Sequence, residues 1–232
     1  MRLFQNHASW AAAGVALIAI LVVSAAPGGA APVTASTLSP PRTPESKPDA
    51  DGFLRRWLVL EPIASNGLTD SVVQTAVKKE PFLSQVAAVP RDEDKLAVNG
   101  TDLVWHAVDT TKYNLNLFHF ATALKKNTSN VLFWVVTVVN APREMRDVRL
   151  AIGSNAASVW WVNGQEVTSI YGDRQTVIDD GVSKRLTLKQ GPNVIRGAVV
   201  NGGGATDFCA RILDPNDKPV TDFTVNLNLG RP

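Results

Sequence analysis

Beyond residue 100 the chain is a succession of short, mostly apolar runs, several with the alternation that sends neighbouring side chains to opposite faces of a strand. The runs are LVWHAV (103–108), VLFWVVTVV (131–139), VRLAIG (148–153), SVWWV (158–162), QEVTSI (165–170), KRLTLK (184–189), NVIRGAVV (193–200), DFCARIL (207–213) and DFTVNL (222–227), with an earlier one, WLVLEPI, at 57–63. Turn residues separate them and no repeated helices intervene. The pattern predicts a mostly β, antiparallel sandwich of jelly-roll type with one or two short helices, rather than a doubly wound sheet. The clearest helix signal has Thr69 or Asp70 as its cap, Val72, Val73, Ala76 and Val77 on one face, and a stop before Pro81.

Asn163–Gly164, between SVWWV and QEVTSI, is the sharpest turn signal. Both central residues of a type I′ hairpin need positive φ, which Asn and Gly adopt at least steric cost. Alternation then sets Val159 and Trp161 on one face and Trp160 and Val162 on the other. Either one tryptophan leaves the core or the strand is covered on both sides.

The first fifty residues follow a different pattern. Residues 11–26 are an unbroken run of small apolar residues behind Arg2, and Ala25, Ala26, Ala30 and Ala31 offer cleavage positions, so 1–31 reads as a signal peptide. Retention as an N-terminal anchor is the alternative. Residues 32–51, with prolines at 32, 40, 41, 44 and 48 among small polar residues, read as a disordered, semi-extended tether. The sandwich is then expected over 52–232, in a protein that is secreted or held in the periplasm or cell envelope, with no membrane span once the leader is cleaved.

Charge excludes more than it suggests. Loss of Arg2 with the leader leaves 22 basic against 21 acidic residues, a balance that does not favour nucleic acid as a partner. The pairs Arg55–Arg56, Lys78–Lys79 and Lys125–Lys126 read as solvated faces. With Cys209 as the lone cysteine no intrachain disulfide can form, so the fold must stand on its apolar core; set in FCARIL, Cys209 itself reads as a buried thiol.

Certain motifs carry a resemblance. They are Arg149-Leu150 leading to Gly153-Ser154, Trp161 two residues before Asn163–Gly164, Leu188 leading through Gly191 to Asn193, and the turn Gly202–Gly204. In this arrangement residues 53–213 resemble the galactose-binding-like jelly-roll domains, similar to carbohydrate-binding modules, of secreted bacterial polysaccharide-active proteins, including chains labelled acetyl xylan esterase or glycoside hydrolase. The resemblance implies a β-sandwich that takes a polysaccharide or glycan as partner. Many relatives carry acidic residues directly after the Gly-Ser, where this chain has Asn155, Ala156 and Ala157, so contacts made by those acids are not implied here.

The residues give catalysis little to work with. No G-x-S-x-G elbow occurs, and His106 and His119 both lie in apolar runs, with Ser154, Ser158 and Ser183 as nominal nucleophiles. The loop acids Asp173, Asp179, Asp180 and Asp207 read as turn and capping residues rather than a glycosidase pair. No cofactor is expected; calcium at Asp179 and Asp180 would lack an ordered D-x-D pattern. Sugar binding asks only for an aromatic face and a few fixed polar groups. Tyr113, Trp160 and Tyr171, with Trp105 as a further aromatic, are the candidates for stacking, and Asn155, Asp173, Arg174 and Asp207 for hydrogen bonding to hydroxyls. The reading favoured by the sequence is a non-catalytic carbohydrate-binding protein. The alternatives are a carbohydrate esterase acting on acetylated xylan and a structural envelope domain that meets a protein partner.

Overall fold

A computed structural model describes residues 37–78 and 88–229. Residues 1–31, expected from the sequence to be a signal peptide, lie outside the described residues. The strands are β1 (Leu38–Ser39), β2 (Arg56–Leu60), β3 (Ile63–Ala64), β4 (Lys95–Val98), β5 (Thr101–Thr110), β6 (Leu115–Asn116), β7 (Val131–Ala141), β8 (Met145–Ser154), β9 (Ala157–Val162), β10 (Gln165–Ile170), β11 (Gly181–Val182), β12 (Leu186–Leu188), β13 (Gly191–Asn201), β14 (Asp207–Leu213) and β15 (Thr224–Asn226). The helices are α1 (Asp70–Val77) and α2 (Leu117–Ala123).

The strands form two antiparallel sheets. The larger runs β1-β5-β2-β7-β13-β9-β10, with β3 and β15 also on β7 and β4 on β5; the smaller runs β11-β8-β14-β6, with β12 on β8. β7 and β13 form the centre of the larger sheet, paired without a break from Val131↔Asn201 to Ala141↔Gly191. Every residue of β7 except Asn140 is buried, as its unbroken apolar run requires of a strand covered on both faces.

That double cover resolves the tryptophan pair. Trp160 and Val162 join the core between the sheets with Trp57, Phe133, Ile152, Ile195 and Phe208. Val159 and Trp161 join a second cluster on the outer face of the larger sheet, with Leu58, Trp105, Trp134, Ala198, and Val73 and Val77 of α1. Each large side chain so buried contributes ~1.5–3 kcal/mol, which is how a fold without a disulfide is held.

Residues 37–51 differ from the tether expected over 32–51. Leu38 is buried, β1 pairs with β5, and Ser46 bridges to Val225. The strap is Arg56. Its guanidinium is buried, donates through Nη1 to the Thr43 carbonyl at 2.7 Å, and forms two 2.8 Å bonds to Asp109. Arg56 is therefore no solvated cation: a planar fork that satisfies a carboxylate and a backbone oxygen together can be buried where a lone charge cannot. Residues 32–36 lie outside the described residues.

Candidate functional site

At one end of the sandwich four chain segments meet: 111–116 ahead of α2, the β8–β9 turn at 154–156, the loop 171–180, and 205–207 leading into β14. The turn geometry begins with backbone. Asn155 N–H donates to the Asp207 carbonyl at 2.8 Å and Ala156 N–H to the Arg174 carbonyl at 3.1 Å. Ala156 is fully buried at φ +71°, a left-handed backbone that costs a residue with a Cβ on the order of 1 kcal/mol and is kept only because these contacts fix it. Gly153 is required beside it, since an added Cβ would stand 2.8 Å from Cys209 Sγ and collide with the Val177 carbonyl of the loop.

Side chains complete the junction. The Asp207 carboxylate accepts from Thr176 Oγ1 at 2.5 Å through Oδ1 and from Asn114 Nδ2 through Oδ2, so one half-buried acid ties three segments together. Arg174 pairs with Asp180 at 2.5 Å. Asp179 pairs with Arg211, whose guanidinium lies 4.9 Å over the Phe53 ring. Phe53 in turn backs the Tyr113 ring at 5.4 Å and 56°, and Tyr113 remains 42% exposed. The result is an aromatic face held out at the rim of a network of amide, carboxylate, hydroxyl and guanidinium groups.

Among the residues singled out from sequence, Tyr113, Asn155, Arg174 and Asp207 are thus brought to one end. Asp173 lies in the same loop, exposed and without a hydrogen bond among the described residues. Trp160 is not part of it and is corrected to core: it is fully buried, 5.1 Å from Phe208 and 6.0 Å from Trp57, with its indole N–H donating to Ser158 Oγ at 2.9 Å. Trp105 is buried in the outer cluster. Tyr171 packs on that same cluster, its hydroxyl 3.4 Å from Gln74 Nε2 of α1. Sequence reasoning missed Asn114, Thr176 and Phe53. Thr176 and Asn114 had no local signal, because their meaning comes from Asp207, 31 and 93 residues away.

The histidines and serines stay apart. His106 is buried with Nε2 3.6 Å from Glu61 Oε1, and Glu61 also takes Lys126 Nζ at 3.0 Å. Burial lowers the His106 pKa against the opposing pull of Glu61. His119 is exposed on α2. Ser158 is engaged by Trp160, Ser183 Oγ accepts from Leu150 N–H at 2.9 Å, and Ser154 is buried. Among the described residues no group of three or more His, Cys, Asp or Glu is placed to hold a metal ion, and no helix is long and apolar enough to cross a membrane.

No family model and no curated protein matches the sequence. Several solved structures are similar to it. The PA14 sugar-binding domain from an RTX adhesin aligns with 15% identity and TM-score 0.40 over 73% of this chain and 96% of that one. The epithelial adhesin 9 A domain from Candida glabrata, in complex with Galb1-3GlcNAc, aligns with 10% identity and TM-score 0.40 over 83% and 98%. A β-glucosidase from Kluyveromyces marxianus, in complex with glucose, aligns with 20% identity and TM-score 0.36 over 56% of this chain, which spans only 16% of the enzyme.

Proposed function

We propose that the chain is an exported, non-catalytic carbohydrate-binding module whose glycan site is the loop end around Tyr113. The observation that supports this reading is the Tyr113 ring: exposed, backed by Phe53, on whose ring Arg211 packs, and set beside the fixed Asn114–Asp207–Thr176 network. A pyranose presents an apolar C–H face and a rim of hydroxyls, and this site offers an aromatic surface with convergent donors and acceptors for each. Because the polar groups are already locked to one another, little side-chain entropy is lost when a sugar arrives.

The test is a glycan array of xylans, mannans, galactans and peptidoglycan with the mature protein and with Tyr113→Ala. Binding that Tyr113→Ala weakens about fivefold, a loss of on the order of 1 kcal/mol, is the expected result. Silence of the wild-type protein across the array overturns the reading. So does glycan binding indifferent to Tyr113→Ala.

A further inference from the structure

The opposite edges of the two sheets enclose a second feature. The β9–β10 hairpin of the larger sheet and the strand β12 with its flanks on the smaller sheet face each other across a cleft of about 500 Å³. Its lining carries Lys184, Arg185 and Lys189 and the carboxylate of Glu166, so it holds a net positive charge in a chain that is otherwise near neutral. Among the described residues none of the three cations has a carboxylate partner. Arg185 donates through Nη1 to the Asp147 carbonyl at 2.8 Å, and neither lysine head is engaged. Elsewhere in the sandwich Arg56, Arg174 and Arg211 each pair with an acid, Asp109, Asp180 and Asp179 respectively.

The backbone under these charges is pinned. Asn163, at φ +51° in the hairpin turn, accepts from Val194 N–H through Oδ1 at 2.9 Å and donates through Nδ2 to Asn193 Oδ1 at 2.9 Å. The same Asn193 oxygen accepts from Lys189 N–H at 2.9 Å, and its amide donates to the Lys189 carbonyl at 2.7 Å. On the other flank Ser183 Oγ donates to the Lys184 carbonyl at 2.7 Å. Buried Asn193 and Ser183 therefore fix where the two lysines emerge. Three cations lining one cleft against a single carboxylate leave an excess of positive charge there, which an anion would satisfy.

We infer that this cleft binds a carboxylate-bearing, uronate-type polysaccharide, a specificity that builds on the sugar-binding reading but uses a different surface. Lys184, Arg185 and Lys189 would meet the carboxylates by charge-assisted hydrogen bonds, while Asn163, Gln165 and Thr187 supply partners for hydroxyls. No aromatic ring lines the cleft, so charge and hydrogen bonding carry recognition, and affinity must fall with salt as the Debye length shrinks.

Calorimetry of the mature protein with an oligogalacturonate, and with a neutral xylo-oligosaccharide as control, tests the inference. The double variant Lys184→Gln/Lys189→Gln is expected to weaken oligogalacturonate binding by about tenfold or more, one decade being 1.4 kcal/mol, and to leave xylo-oligosaccharide binding unchanged. Glu166→Gln is expected to strengthen the acidic ligand, and Thr187→Glu, on an exposed position of β12, to weaken it without removing packing. The inference fails if the wild-type protein ignores oligogalacturonate, if the lysine variant binds it as well as wild type, or if Tyr113→Ala alone abolishes it. Polyglutamate bound as tightly as oligogalacturonate would assign the cleft to an acidic protein and overturn the glycan assignment. A wild-type protein that binds oligogalacturonate but no neutral sugar would sink the loop-end reading and leave this one standing.

Discussion

Gly197→Ala is a small change with a large expected consequence. Gly197 of β13 pairs with Trp160 of β9, and the indole occupies the space where a side chain would begin. An added Cβ would stand 2.6 Å from Cη2 and 2.7 Å from Cε3 and closer still to Cζ3, all well inside the 3.4 Å at which ordinary contact starts. The ring has nowhere to retreat, because Trp57 and Phe208 pack against it at 6.0 and 5.1 Å in the middle of the core. Overpacking of this kind costs ~1–3 kcal/mol. The entropic advantage of alanine over glycine in a strand returns only ~0.5–1 kcal/mol, so the loss prevails. The midpoints of the two ranges leave a net loss of about 1.25 kcal/mol, and at about 2–4 °C per kcal/mol for a domain of this size Tm should fall by roughly 2.5–5 °C, read by circular dichroism and tryptophan fluorescence. Gly203→Ala, which meets nothing within 4 Å and lies at an ordinary φ, should stay within about 0.5 kcal/mol of wild type. In a Trp160→Phe background the colliding ring atoms are gone, and Gly197→Ala should cost less by more than about 0.5 kcal/mol. Equal losses in both backgrounds, or no loss in either, would refute the packing argument.

Asp207→Ala leaves the Asn114 amide and the Thr176 hydroxyl without their acceptor, and should lower the urea midpoint by an amount equivalent to about 1–3 kcal/mol. Amide exchange should rise first in the loop 172–180. His106 is held below its ordinary 6.5 by burial, so the unfolded chain takes up a proton before the folded one does; stability should hold above pH 6.5 and decline as pH falls below it. His106→Leu should flatten that decline in a series of thermal melts, and an unchanged slope would show that other groups cause it. Cys209, buried with its pKa pushed up to about 12 by burial, should react with a disulfide reagent only once denaturant has opened the fold.

The sandwich was legible because strand periodicity is local: nine of the expected runs reappear as β5, β7–β10 and β12–β15, with the tenth split between β2 and β3. The Asn163–Gly164 turn has positive φ at both residues, 51° and 84°. What stayed hidden depends on distant partners. Strands β1, β6 and β11, two residues each, are too short to carry a period, and each, like the four-residue β4, lies along the edge of a longer neighbour. Helix α2 did have a signal, Asn116 capping the His119 N–H at 2.7 Å with Leu117, Phe120 and Ala121 inward, but the window is only seven residues long. The alternation separated Trp160 from Trp161 without showing which cover lay on which side. Arg56 looked like one of a basic pair until Asp109 and Thr43 surrounded it.

The most direct measurement is a nitrogen–proton correlation titration of the labelled protein with whichever neutral oligosaccharide the array selects. Amide shifts should concentrate at Tyr113 and Asn114, Asn155 and the stretch 173–176, and vanish in Tyr113→Ala. Shifts centred on the α1 face or scattered over the sheets, with the 113–114 and 173–176 amides unmoved, would contradict the placement of the glycan at this end of the sandwich.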